Sequence, residues 1–308
     1  MEMIDHYKPD YVVRFNSDAC SCPACLQAPE DWPYVSIALK NQQRESMDIG
    51  CESVAKAILL DPEAFTLHVS RTAPQGEQIL SPWNEMLNQQ CINLAVHPAM
   101  PLEVSLYAIG VLLSKAQQHH DKGDTDPMLL QSMGEQLAML AEQGVLERLF
   151  EELPPIPHNT LAALKTMGQM HLTLNLPMVE KMGVMLKLSE LAILPATRLE
   201  ERLKELTLAE QSAAQQQIMR YFLIYKLYHN VFPGVACENY GEAFLALATT
   251  FFRIRMLCAL GVDNEGILST DTKLVLISAL SRWEIQHPVS AEQDTTPDYS
   301  LLCGLSLL

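Results

Sequence analysis

The chain has 308 residues, 37 of them acidic and 21 basic, for a net charge of −16. That charge repels a phosphate backbone and offers no surface for counterion release, which argues against nucleic acid as a partner. The length suffices for a sizeable core in one large or two modest domains, and the acidic surface suits either solubility or the docking of a basic, lysine-bearing partner.

The first twenty residues are charged throughout and lack the apolar run of a signal peptide. Apolar stretches such as Tyr221 to Leu227, interrupted by Lys226, fall short of the roughly 20 apolar residues of a membrane span. A cytoplasmic protein with no membrane segment is expected, and in that compartment cysteines serve as thiols or metal ligands rather than disulfides. Residues 1–50, with Pro9, Pro23, Pro29, Pro33 and the tight SCPAC turn, read as a small, irregular, cysteine-bearing head.

A helical body is predicted over 51–287 and a tail over 288–308. CESVAKAILLDPEAF puts Val54, Ile58 and Leu59 on one face of a short helix that Pro62 stops, and a Pro- and Gly-containing connector runs on to Pro82. Leu102 to His120 has Val104, Leu106, Ile109, Leu112 and Leu113 at helical spacing and is broken by DKGDTDP. Met128 to Leu149 repeats the pattern, with Leu129, Met133, Leu137, Leu140 and Ala141 as its stripe. Helices are also predicted over Asn159 to His171 and Met178 to Leu191, and from about Ala196 into the apolar IMRYFLIYKLYHNVF. Pro233 and Gly234 break the chain before Tyr240 to Leu260, and Ser269 or Thr270 caps a last helix to Ile285. The tail ends in apolar YSLLCGLSLL, suited to packing back on the body or to docking a partner. With no strong alternating pattern, the expected fold is all-α: a multi-helix, bundle-like body carrying the irregular head.

No dinucleotide fingerprint, P-loop, nucleophile elbow or H-E-x-x-H occurs, and a Rossmann methyltransferase would need strands that the pattern does not offer. His119 and His120 are adjacent and point apart, so they do not read as a shared metal site; the scattered His68, His97, His158, His171 and His229 read as structural. The cysteines carry the chemistry. Cys20, Cys22 and Cys25 form C-x-C-x-x-C, and with Cys51 they supply the four thiolates of a tetrahedral zinc or of a four-iron, four-sulfur cluster; reduced thiols in a turn are the alternative.

YVVRFNSDACSCPAC resembles the opening of the flagellin lysine-N-methylases, where an F-x-x-R-F-like run leads into a cysteine cluster. CESVAKAILLDPEAF is similar to that family's S-C-P-E-V-A-R-L-A-L-L-D-P-E segment, and RYFLIYKLYHNVFPG and SRWEIQHP follow in the family's order. The resemblance implies transfer of methyl groups from S-adenosylmethionine to surface lysines of flagellin. It also implies an iron–sulfur cluster in the head, with Cys20, Cys22, Cys25 and Cys51 as the matching ligands. Glu52, Tyr225, Tyr228 and Glu284 are polar candidates for the site. Only 25 residues separate Cys25 from Cys51, where the family's heads place a longer segment with further cysteines. The alternative is therefore a non-catalytic helical relative that binds flagellin or another protein.

Overall fold

Hydroxyl and amide side chains start several helices of the body. Ser81, Asn239, Ser269 and Thr296 each accept a hydrogen bond from the backbone N–H three residues on, and Asp126 accepts one from Met128 N–H. The computed structural model describes residues 3–15, 20, 22–27, 32–154, 157–208, 213–262, 267–287 and 296–308. Among them the elements run β1 (Ile4–Pro9), α1 (Asp10–Arg14), α2 (Pro23–Gln27), β2 (Tyr34–Ala38), β3 (Gln42–Met47), α3 (Glu52–Leu59) and β4 (Leu67–Thr72). There follow α4 (Pro82–Val96), α5 (Leu102–His120), α6 (Pro127–Glu142), α7 (Val145–Glu151), α8 (Pro157–Met167) and α9 (Met178–Ile193). The last are α10 (Ala196–Leu208), α11 (Ala213–His229), α12 (Tyr240–Gly261), α13 (Thr270–Gln286) and α14 (Pro297–Leu305).

The body is helical, but the all-α expectation needs correction. A four-stranded sheet of order β2-β3-β1-β4 occupies the N-terminal part. β1 runs parallel to β3, with His6 opposite Gln43, and antiparallel to β4, with His6 opposite Ser70; β2 is antiparallel to β3, with Ser36 opposite Glu45. The strands escape a search for alternating apolar residues because β3 (QQRESM) buries polar side chains instead. β4 lies inside the stretch expected to be a plain connector.

Further differences concern the helices. The helix expected over Met128 to Leu149 is two, because Gly144 takes a left-handed φ of 67° between α6 and α7. The buried face of α6 is Leu130, Gly134, Leu137 and Ala141, one position off part of the expected stripe. Helix α4 was not foreseen, since buried Asn88 and Gln90 interrupt its apolar face. α12 is long and apolar enough, by length and composition, to cross a membrane, but 67% of its most apolar 18 residues is buried in this fold, where it packs on α5, α9, α13 and α14.

A single large cluster of buried side chains joins head to body. α3 sinks Val54, Ala55, Ile58 and Leu59 against α11 and α13, at about 1.5–3 kcal/mol for each large side chain. The tail returns to the body: α14 lies against α12 and α5, and Leu307 is buried.

Candidate functional site

The turn at Asp48–Cys51 is where β3 ends and α3 begins. Asp48 Oδ1 accepts from Gly50 N–H at 2.7 Å and Asp48 O from Cys51 N–H at 3.2 Å. Gly50 has no room for a side chain, because a Cβ would stand 2.8 Å from Arg282 Cγ and 2.9 Å from Asp48 Oδ1. Arg282 of α13 donates to Gly50 O, and its other terminal nitrogen donates to Thr173 O at 2.8 Å. The turn is thus fastened to the helical body, and it leaves Cys51 at the N-cap of α3.

Cys51 is fully buried and Cys22 is 6% exposed, while Cys20 and Cys25 are half-buried. Cys51 Sγ lies 3.4 Å from Cys20 Sγ and 3.4 Å from Cys25 Sγ, and all four sulfurs lie within 4.8 Å of one another. These spacings far exceed a disulfide bond of about 2.05 Å. The chain that reaches Cys51 is short: Cys22 precedes α2, whose Leu26 N–H bonds to Cys22 O at 3.1 Å, and Cys25 sits on α2 itself.

Burial opposes a charge on Cys20, but hydrogen bonds from Ser53, the Cys22 backbone, Cys51 and Cys25 outweigh it and bring that thiol down to about 6. Burial drives Cys25 up to about 12, and it raises Cys51 strongly against the help of the Val54 N–H. The Cys20 thiolate is therefore favoured, while Cys25 and Cys51 hold their protons more firmly. A cation between the sulfurs reverses that preference, because a coordinated thiol gives up its proton outright.

The donor set has the count of either a tetrahedral ion or a four-iron cluster. Around one ion with metal–sulfur bonds of about 2.3 Å, neighbouring sulfurs stand about 3.8 Å apart. A four-iron, four-sulfur cube hangs each cysteine from a separate iron and needs wider spacing. Sulfurs 3.4 Å apart at the closest and within 4.8 Å overall match a single ion better.

The other polar candidates are not gathered here. Glu52 Oε2 accepts from Asn175 at 2.8 Å; Tyr225, buried, accepts from Ile49 N–H at 3.2 Å through its hydroxyl. Tyr228 lies under the Arg44 guanidinium, and Glu284 accepts from Thr250 at 2.8 Å and from Arg253 at 3.2 Å. His119 pairs with Asp124 at 3.0 Å and His68 with Asp10 at 2.9 Å, whereas His229 is half-buried against Ser46 at 2.8 Å. The sequence reading missed Ser53 and Arg282, whose only advance signal is their position beside Cys51 and within SRWEIQHP.

Residues 88–293, more than half of the chain, match the family model described as the FliB lysine N-methylase C-terminal domain. The lysine-N-methylases of Salmonella choleraesuis strain SC-B67 and Salmonella typhimurium strain LT2 are each 24% identical over 259 residues, which cover 78% of this chain and 63% of theirs. The match thus spans under two thirds of the length of those relatives. No solved structure matches the chain. On the family-model match, the chain belongs to the FliB lysine N-methylase family.

Proposed function

We propose that this protein is a protein-lysine N-methylase that moves methyl groups from S-adenosylmethionine to surface lysines of flagellin. The observation that carries this reading is the family match across α4 to α13, the helical body onto which Arg282 fastens the cysteine turn. Bound S-adenosylmethionine would supply the methyl group. The chain's own part is to present a lysine ε-amine in its neutral form, which requires desolvation or a base, and an acidic surface favours the approach of a lysine-rich partner.

In this reading Cys20, Cys22, Cys25 and Cys51 hold a thiolate-ligated metal centre. Their spacing favours one tetrahedral ion, zinc by its ligand type, and a four-iron cluster is the alternative that the family resemblance implies. A zinc there would fasten the head to α3 and supply folding energy. The short link from Cys25 to Cys51 supports a second reading, a non-catalytic relative that binds flagellin through the same body. Anaerobic purification with zinc, iron and sulfide analysis, joined to mass spectrometry of flagellin incubated with S-adenosylmethionine, separates them. Methylated lysines support the first reading; flagellin binding without methylation overturns it in favour of the second.

A further inference from the structure

Strand β3 turns Gln42, Arg44 and Ser46 toward α4 and α11, and the middle residue is the unusual one. Arg44 is 8% exposed. Its Nε donates to Gln42 Oε1 at 2.7 Å, its Nη1 donates to Asn88 Oδ1 at 2.9 Å, and its guanidinium lies 5.6 Å from the centre of the Tyr228 ring. All three partners are neutral, and Arg44 forms no ion pair among the described residues. Asn88 is itself fixed, because its amide nitrogen donates to Leu227 O and Phe232 O at 2.9 Å each, which aims its oxygen at Arg44.

A buried cation without a counter-charge is costly, and neutral amides offset the loss of water only in part. Burial accordingly lowers the pKa of Arg44. Nη2, with two N–H groups, has no protein acceptor among the described residues. Arg44 also lines a cavity of about 190 Å³ together with Glu85, Tyr7 and Phe65.

The placement of Glu85 restricts what can enter. Gln42 stands between the two charges, its Oε1 taken by Arg44 and its Nε2 donating to Glu85 Oε1 at 3.0 Å. The amide keeps a guanidinium and a carboxylate on one wall without letting them close on each other. The cation lies at the buried end and the exposed Glu85 at the rim. A phosphate would meet Glu85, and a simple ammonium would meet Arg44. A group bearing both a carboxylate and an ammonium on one carbon satisfies the pair. The volume, below the roughly 300 Å³ at which pockets for whole drug-sized ligands begin, suits such a head group.

We propose that this cavity binds the zwitterionic head of an α-amino-acid ligand, with the carboxylate on Arg44 and the ammonium on Glu85. The identification of that head as the methionine end of S-adenosylmethionine rests on the methylase reading above.

Calorimetric titration of the full chain with S-adenosylhomocysteine, 5′-methylthioadenosine (which lacks the amino-acid head) and free methionine tests it. Wild type should bind S-adenosylhomocysteine at least about tenfold more tightly than 5′-methylthioadenosine, a comparison that needs no variant. Arg44→Gln should weaken S-adenosylhomocysteine by about tenfold or more and leave 5′-methylthioadenosine unchanged. Glu85→Gln, at an exposed position that spares the fold, should weaken S-adenosylhomocysteine as well. Equal binding of S-adenosylhomocysteine by wild type and both variants overturns the cavity assignment while leaving the methyl-donor reading intact. Binding of methionine but of neither nucleoside, abolished by both substitutions, upholds the cavity and overturns the donor identification. No binding of any α-amino acid or its nucleoside derivative overturns the proposal.

Discussion

Cys20 Sγ and Cys51 Sγ lie 3.4 Å apart across 31 residues of sequence, which brings the first cysteine of the N-terminal run against the start of α3. A metal that joins them couples its own binding to folding, because the unfolded chain has no preformed site. Cys22→Ser and Cys51→Ser should each lower the melting temperature by several degrees, and the double variant should fall less far than their sum, as mutations of one shared site do. A strong chelator should destabilise wild type and leave Cys51→Ser almost unmoved. Additive losses, or chelator effects of equal size in both proteins, would show that the sulfurs do not act as one site.

A chain of side-chain contacts runs from Tyr11 through Ser46 to the half-buried His229. Ser46 Oγ stands 2.9 Å from the Tyr11 hydroxyl and 2.8 Å from His229 Nδ1, and the Tyr225 ring stacks on the imidazole at 4.8 Å. Burial, aided by the charge of Lys226, pushes the His229 pKa from 6.5 down to about 4. Between those values the unfolded chain takes up a proton that the folded one refuses, so stability falls as pH drops through that window. The loss should reach on the order of 3 kcal/mol by the lower end. His229→Gln keeps an acceptor for Ser46 but cannot titrate. Thermal unfolding from pH 7 to pH 4 should therefore show a shallower decline for the variant, and parallel curves would remove His229 as the cause.

Glu284 is the counter-ion of two cations from other helices. It lies 3.2 Å from Arg253 and 3.7 Å from Lys226, its side chain is 13% exposed, and it also accepts from Thr250 at 2.8 Å. The cations are held in place by aromatic rings, Arg253 over Trp283 and Lys226 over Phe222. Glu284→Gln leaves both charges uncompensated and should cost about 1–3 kcal/mol in denaturant unfolding. Adding Lys226→Met should recover part of that loss. Full additivity of the two substitutions would deny the coupling.

These cases also show which parts of the molecule could be read in advance. The long stripes were legible because burial of Ile109, Leu112 and Leu113 on one face leaves a period in the sequence, and α5 spans the predicted Leu102 to His120. Ser269 was legible as a cap because its function is local. The sheet was not, since Gln42, Arg44 and Ser46 are buried by partners on α4 and α11 that lie tens to hundreds of residues away, and polar residues in a strand look like surface until those partners are known. The four cysteines were visible by spacing alone. The roles of Ser53, Val54 N–H and Arg282 around them depend on the direction in which α3 and α13 leave their turns, which no local pattern encodes.

The C-terminal helix gives a test of packing that has its control within the same chain. A Cβ on Gly241 of α12 would stand 2.0 Å from Pro297 O at the start of α14, a backbone atom that moves only if the helix moves. Gly241→Ala should therefore cost about 1–3 kcal/mol through overpacking and increase proteolytic cleavage near residue 297. Gly183 of α9 has no atom within 4 Å of the corresponding position. There the same substitution should stabilise by about 0.5–1 kcal/mol, because alanine loses less backbone freedom in a helix than glycine. Opposite signs of the two shifts in melting temperature follow if α14 docks on α12 in solution; if Gly241→Ala were as benign as Gly183→Ala, α14 would not rest there.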